Sequence, residues 1–170
     1  SSLGYSPADI VLFYVGRVTA AKNVHALIAL YQHLAKSHPR LKLIIDGPVR
    51  DDPFYEFGTG PSPIERLLKA QLRADPESAG GVRFIQPGTR PVPLETLCAA
   101  SDIFLNLTLN HDENFGLAIV EAMSCGLPVV GSAWGGQKDT VTDGETGFLA
   151  AALPSGRGFA VDLRQAADGC

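Results

Sequence analysis

Short apolar runs alternate with segments of helical period along this chain. Residues 10–15 form an unbroken apolar run that stops at Gly16, as expected of a strand buried on both faces. From Asn23 the period changes, because leucines and a tyrosine recur every three or four residues up to Leu34 and predict an amphipathic helix. The same criteria predict further strands at 41–45, 82–85, 103–107, 127–131 and 146–149, and further helices at 64–73, 93–100, 117–125 and 137–142.

This alternation predicts an α/β domain with a Rossmann-like, doubly wound parallel sheet that helices cover on both faces. We assign the domain to residues 1–150. After Ala151 the pattern gives way to alanine, glycine and charged residues, so 151–170 is expected to be a ragged tail, poorly ordered or truncated before its partner. Ligands of such sheets bind at the carboxyl ends of the strands, which points to the loops at 16–22, 46–63, 86–92, 108–116 and 131–137.

Composition and charge exclude several classes of protein. With 45% hydrophobic and 19% charged residues, the 170-residue chain is neither a disordered segment nor a coiled coil. A net charge of −4 gives no general attraction for nucleic acid. Three widely spaced cysteines fit neither a disulfide framework nor a metal site, and no apolar run approaches the roughly 18 residues of a membrane span. We expect a cytoplasmic protein, peripheral to a membrane only through a part that this chain lacks.

The first strand is followed by a loop with two cations. Gly16 and Arg17 come directly after the strand, and Lys22 and Asn23 precede the first helix. Arginine and lysine suit phosphate oxygens, and Asn23 is placed to cap the helix N-terminus, where backbone amides attract anions. The alternative is that both cations are solvated loop charges.

The segment from His111 to Glu121 is the second candidate. Glu113 lies in a loop and Glu121 lies eight residues later in the following helix, while the backbone of Asn114, Phe115, Gly116 and Leu117 offers amides for a phosphate. Both carboxylates could accept hydrogen bonds from sugar hydroxyls. The alternative makes Glu113 a helix-entry charge and Glu121 an exposed residue, but the apolar neighbours of Glu121 predict a helix buried almost all round, where a carboxylate needs a partner or a function.

In these residues the sequence resembles the carboxyl-terminal domain of GT-B glycosyltransferases of the family 4 or group 1 type. The resemblance covers roughly residues 10–150 and rests on motifs in a fixed order. They are Gly16-Arg17 with Lys22-Asn23, Asp46-Gly47-Pro48, Ser101-Asp102-Ile103, Glu113-Asn114-Phe115-Gly116 with Glu121-Ala122-Met123, Gly126-Leu127-Pro128, Gly135-Gly136 and Asp143-Gly144-Glu145-Thr146-Gly147. After the two glycines, Gln137-Lys138-Asp139 stands where many relatives carry a Pro-Glu pair.

The resemblance implies one half of a GT-B fold that binds a nucleotide-sugar donor, with UDP, GDP or ADP as the nucleotide. Arg17 and Lys22 would neutralise the diphosphate and, with Glu113 at the sugar, form the catalytic set. Gly16, the backbone of residues 114–117 and Glu121, at the ribose hydroxyls, would bind the donor. Family members retain the anomeric configuration and generally need no metal, which agrees with the lack of an Asp-x-Asp pair in this sequence.

The function expected from this resemblance is transfer of a glycosyl group to an acceptor hydroxyl, with the amino-terminal acceptor-binding domain as the missing partner. Two alternatives remain open, a nucleotide-sugar epimerase of the same fold and a non-catalytic module that retains it. A retaining glycosidase using Glu113 and Glu121 would need carboxyl groups about 5–5.5 Å apart and would leave the two cations without a purpose.

Overall fold

The computed structural model describes residues 4–50, 62–86, 92–109, 116–155 and 158–162, with side chains as far as Ala152. All the strands and helices expected from the sequence are present, with ends shifted by a few residues. They are β1 (Ile10–Val15), α1 (Val24–Ala35), β2 (Leu41–Asp46), α2 (Pro63–Ala74), α3 (Pro76–Ala79), β3 (Val82–Ile85), α4 (Leu94–Ala99), β4 (Ile103–Asn106), α5 (Leu117–Ser124), β5 (Val129–Ser132), α6 (Gln137–Thr140), β6 (Gly147–Ser155) and β7 (Gly158–Asp162).

One helix, α3, was not expected from the sequence. It is a single turn that begins with a proline after Asp75, whose carboxylate accepts a hydrogen bond from the Ser78 amide at 3.2 Å. Proline at the first helical position and an aspartate cap favour such a turn, although four residues are too few to show a helical period. Across the described ranges, no helix is long and apolar enough to cross a membrane.

The strands form one sheet in the order β3-β2-β1-β4-β5-β6-β7. Strands β1 to β6 are parallel and β7 is antiparallel to β6. The Rossmann-like, doubly wound sheet is therefore confirmed. The chain order reverses between the neighbours β1 and β4, and a crevice opens outside the carboxyl ends of strands at such a point.

Alternate side chains of the strands pack on opposite faces of the sheet. Leu12 and Tyr14 of β1 face α1 and α2, whereas Val11 and Phe13 face the helices of the other layer. Phe13 meets Phe104 of β4 edge to face, with ring centroids 5.9 Å apart. Because both faces are covered, these strands carry the continuous apolar runs by which they were predicted.

The end of the chain differs from the expectation. Strand β6 continues to Ser155 and pairs with β7 from Ala151 opposite Asp162 to Ser155 opposite Gly158. The prediction that regular structure stops after Ala151 is therefore wrong. An antiparallel pair satisfies its backbone groups by its own ladder and does not require an apolar alternation in the sequence. The division into a domain at 1–150 and a tail at 151–170 stays a prediction.

Candidate functional site

Strands β1 and β2 end side by side at two glycines. Gly16 and Gly47 have φ of 147° and 149°, and a Cβ on Gly47 would lie 1.9 Å from the Gly16 carbonyl oxygen. The Gly16 amide donates to the Asp46 carbonyl at 2.9 Å, and the Val18 amide donates to the Pro48 carbonyl at 2.8 Å. The two chain segments thus stay in contact beyond the sheet, and glycine is required where they approach most closely.

The two predicted cations lie in the loop of residues 16–23, called here the basic loop. The Tyr14 hydroxyl donates to the Arg17 carbonyl at 2.9 Å, and the buried Thr19 hydroxyl accepts from the Lys22 amide at 3.2 Å. The Arg17 side chain is exposed and that of Lys22 is half-buried. The fold therefore brings Gly16, Arg17 and Lys22 together at the carboxyl end of β1, with a fixed backbone and accessible cationic side chains.

Asn23 occupies the predicted cap position of α1, but its side chain does not cap the helix. The residue has left-handed φ and ψ of 57° and 28°, and its Nδ2 donates to the Leu107 carbonyl at 3.1 Å. The predicted side-chain cap is wrong because the amide group bridges to the segment that follows β4. The N-terminus of α1 is consequently not closed by this side chain.

Helix α5 begins in the same manner on the other side of the crevice. Its first flanking residue is Gly116, in a left-handed conformation, and a glycine has no side chain with which to cap the helix. A Cβ on Gly116 would lie 3.3 Å from Ile119 Cδ1, so the glycine also allows close packing. The N-terminal ends of α1 and α5 both follow strands that meet at the reversal of chain order, and helix N-termini carry partial positive charge.

The exposure of α5 differs from the expectation. Leu117 is 67% exposed, Val120 is 37% exposed and Glu121 is exposed, while Ile119 and Ala122 pack against the sheet. The prediction of a helix buried almost all round is wrong, because only one stripe of α5 contacts the core. Glu121 is therefore accessible to a ligand. Because its side chain is not buried, burial gives no reason to assign it a function.

The remaining predicted site residues lie outside the described residues. Glu113, Asn114 and Phe115 belong to this group, as does His111. Residues 51–61 and 87–91, which belong to two of the predicted strand-end loops, also lie outside the described ranges. The roles of Arg17, Lys22, Glu113 and Glu121 therefore stay predictions.

A buried polar network at the same edge of the sheet was not expected. It consists of Thr108, Ser132 and Gln137, each with no exposed surface. The Gln137 carboxamide accepts from the Ser132 amide at 3.1 Å and donates to the Ser132 hydroxyl at 2.9 Å. The Ser132 hydroxyl donates to the Thr108 carbonyl, and the Thr108 hydroxyl donates to the Ala21 carbonyl at 3.3 Å. The signal in the sequence that could have indicated this network is a polar residue directly after each of two predicted buried strands.

Burial shifts the pKa of two groups in the helices that flank the sheet, His25 and Cys98. Burial lowers the pKa of His25, in the first turn of α1, below its usual value. Burial, followed by a hydrogen bond with Cys125, raises the pKa of the Cys98 thiol to about 12, which keeps it protonated and unreactive. Among the residues that the structure describes, no three His, Cys, Asp or Glu side chains are placed to hold a metal ion.

A cavity of about 660 Å³ lies at the opposite, amino edge of the sheet. Its lining mixes two lysines with Asp75 and Glu77, and the Tyr31 hydroxyl within it donates to the Ser78 carbonyl at 3.1 Å. Desolvation raises the pKa of Tyr31 to about 12, so the phenol remains a donor. We place the candidate site at the carboxyl edge and not in this cavity, because the cavity presents opposed charges and the crevice combines cations with two helix N-termini.

Known proteins resemble this chain along most of its length. The sequence profile of the family described as "Glycosyl transferases group 1" matches residues 3–155. A D-inositol 3-phosphate glycosyltransferase from Streptomyces bingchenggensis is 32% identical over 147 residues, which cover 86% of this chain and 30% of that protein. This chain thus spans about a third of the length of such curated relatives.

Solved structures show the same fold. The crystal structure of Anabaena Alr3699/HepE in complex with UDP-glucose is 30% identical with a TM-score of 0.66, covering 85% of this chain and 35% of that one. Sucrose-phosphate synthase from Thermosynechococcus elongatus is 25% identical with a TM-score of 0.67, covering 88% of this chain and 34% of that one. The likeness extends over nearly all the secondary structure described above.

Proposed function

Since this chain belongs to the group 1 glycosyl transferases, we propose that it is the donor-binding domain of a retaining glycosyltransferase. The donor is a nucleoside-diphosphate sugar, bound in the crevice between the basic loop and α5. The observation that carries this proposal is the placement of two cations and two helix N-termini at the reversal of chain order between β1 and β4.

The electrostatics of the crevice suit a diphosphate. Arg17 supplies a planar guanidinium with several donors, and Lys22 supplies a compact charge on a four-carbon stem. The uncapped first turns of α1 and α5 add backbone amides and partial positive charge. These groups replace the divalent cation that would otherwise neutralise the diphosphate, so we propose a metal-independent donor site.

We propose UDP as the first nucleotide to test. The support is the Anabaena protein, whose structures hold UDP or UDP-glucose and whose sequence is close to 30% identical to this chain. GDP and ADP are the alternatives from the sequence. The sugar is expected near Glu113, and the ribose near Glu121, which lies exposed on α5.

During transfer the bond between the anomeric carbon and the diphosphate oxygen breaks, the acceptor hydroxyl oxygen bonds to the same face of that carbon, and the hydroxyl proton passes to the departing diphosphate. Arg17 and Lys22 stabilise the negative charge that develops on the departing diphosphate. Glu113 orients the sugar. We propose that the acceptor is bound by a part of the protein outside this chain, since the chain spans only about a third of its relatives.

Calorimetric titration of the chain with UDP, GDP and ADP tests the proposal. We expect binding of one nucleotide, weakened about tenfold or more in Arg17→Ala and in Lys22→Ala, because each loses a charge-assisted contact. Arg73→Ala and Lys36→Ala are matched controls, since both are exposed cations at the far ends of α2 and α1. Equal losses in the controls, or no affinity in a folded chain, would favour a non-catalytic module that retains the fold.

A further inference from the structure

Gln137 is wholly buried although it follows two glycines at the rim of the crevice. Its carboxamide lies against Gly131 of β5, where a Cβ would be 2.5 Å from the Gln137 Oε1. The oxygen and the nitrogen of the carboxamide both form hydrogen bonds with one residue, Ser132. The amide group of Gln137 is buried, forms two hydrogen bonds of normal length and packs against Gly131, where only a glycine fits. It is therefore part of the folded core and not a solvated surface group.

The bonds of Gln137 continue toward the basic loop. The Ser132 hydroxyl accepts a hydrogen bond from Gln137 and donates one to the Thr108 carbonyl, so its orientation is fixed by both partners. The Thr108 hydroxyl donates to the Ala21 carbonyl, one residue before Lys22. The path thus crosses β5 and the end of β4 and reaches the loop that carries the proposed diphosphate contacts.

We propose that Gln137 is a positioning residue of the nucleotide site, which acts through Ser132 and Thr108 to hold the backbone at Lys22. This inference rests on the proposed function for the identity of the ligand. Gln137 itself faces the protein interior, so its effect on binding is transmitted and not direct. The bonds among Gln137, Ser132 and Thr108 are buried and the bond to Ala21 is partly buried, so the loss of one partner leaves the other unsatisfied.

Two variants separate this role from local support of β5. Gln137→Met keeps the size of the side chain but removes both bonds to Ser132. Ser132→Ala keeps the bond from its backbone amide to Gln137 and removes both bonds of the hydroxyl, the one from Gln137 Nε2 and the one to the Thr108 carbonyl. Val141→Ala is the matched control, because it removes buried apolar volume next to α6 without touching the network.

Hydrogen exchange of the ligand-free chain is the first readout. We expect Gln137→Met and Ser132→Ala to raise amide exchange in residues 18–23 about tenfold beyond Val141→Ala, because Thr108, whose hydroxyl bonds the Ala21 carbonyl, loses its support from Ser132. We also expect both variants to weaken UDP binding about threefold to tenfold, as for the loss of one or two buried hydrogen bonds. Changes confined to residues 129–141 would overturn the proposed role.

The two readouts keep the inference distinct from the proposed function. If the unmodified chain binds no nucleotide, the proposed function fails, whereas exchange at residues 18–23 still decides whether Gln137 holds the basic loop. If the chain binds UDP with equal affinity in all three variants, the positioning role fails and the proposed function stands. A double-mutant cycle with Thr108→Val adds a further check, since coupled residues give non-additive losses of affinity and independent residues give additive ones.

Discussion

The basic loop and helix α5 flank the same crevice but are held in different ways. The loop is tied on one side to the end of β2 and on the other to the segment after β4, through Asn23 and Thr108. Helix α5 contacts the core through a single stripe and leaves Leu117 and Glu121 exposed. Damage to the loop should therefore reduce stability and binding together, whereas damage to the exposed face of α5 should reduce binding alone.

The largest effect is expected where the basic loop meets β2. Gly47→Ala should lower the free energy of unfolding by about 3 kcal/mol, because the new Cβ would overlap the Gly16 carbonyl at a φ that favours glycine. Gly144→Ala is the control, with φ of 77° and no atom within 4 Å of the new Cβ, and should lose only about 1 kcal/mol. Urea unfolding measures both, and equal losses would show that the contact with Gly16 is not what holds the loop.

Asn23 tests the other attachment of the loop. Asn23→Gly should lower stability by about 1–2 kcal/mol, because the buried Leu107 carbonyl loses its donor while the left-handed backbone remains allowed. Asn23→Ala should lose about 1 kcal/mol more from the backbone alone. Both variants should also weaken UDP binding in calorimetric titration. Unchanged UDP affinity in a destabilised variant would show that binding does not depend on how the loop is attached.

Glu121 tests the opposite side of the comparison. Glu121→Gln should weaken UDP binding about tenfold, through loss of a charge-assisted bond to the ribose, and leave the melting temperature unchanged because the side chain is exposed. Glu77→Gln, an exposed carboxylate on α3, is the matched control for both measurements. A fall in melting temperature would show that α5 is supported by this residue after all.

The smallest effect concerns pH at the start of α1, next to the basic loop. Burial lowers the pKa of His25, so the folded chain binds fewer protons than the unfolded chain below the ordinary histidine pKa of about 6.5. The stability that this histidine contributes is present above that pH and is lost as the pH falls through its lowered value. His25→Gln should reduce the acid sensitivity of urea unfolding, and His33→Gln, at an exposed position of the same helix, should leave it unchanged.

The sequence predicted the sheet because strands buried on both faces must be apolar throughout, as in residues 10–15. It did not predict the bond from Asn23 to Leu107, which joins residues 84 apart in the chain. Nor did it predict which face of α5 is covered, since Ala118, Ile119, Val120 and Met123 are all apolar and only packing distinguishes them. Local pattern indicates elements, whereas the contacts between loops depend on the assembled sheet.

The central claim is that nucleotide binds at the carboxyl edge of the sheet, between the basic loop and α5. The most direct measurement is a titration of the isotope-labelled chain with UDP, followed by the NMR shifts of its backbone amides. We predict that the largest shifts fall in residues 16–25 and 116–121, with little change at residues 74–81. Shifts concentrated at residues 74–81, beside the cavity at the amino edge, would contradict the account.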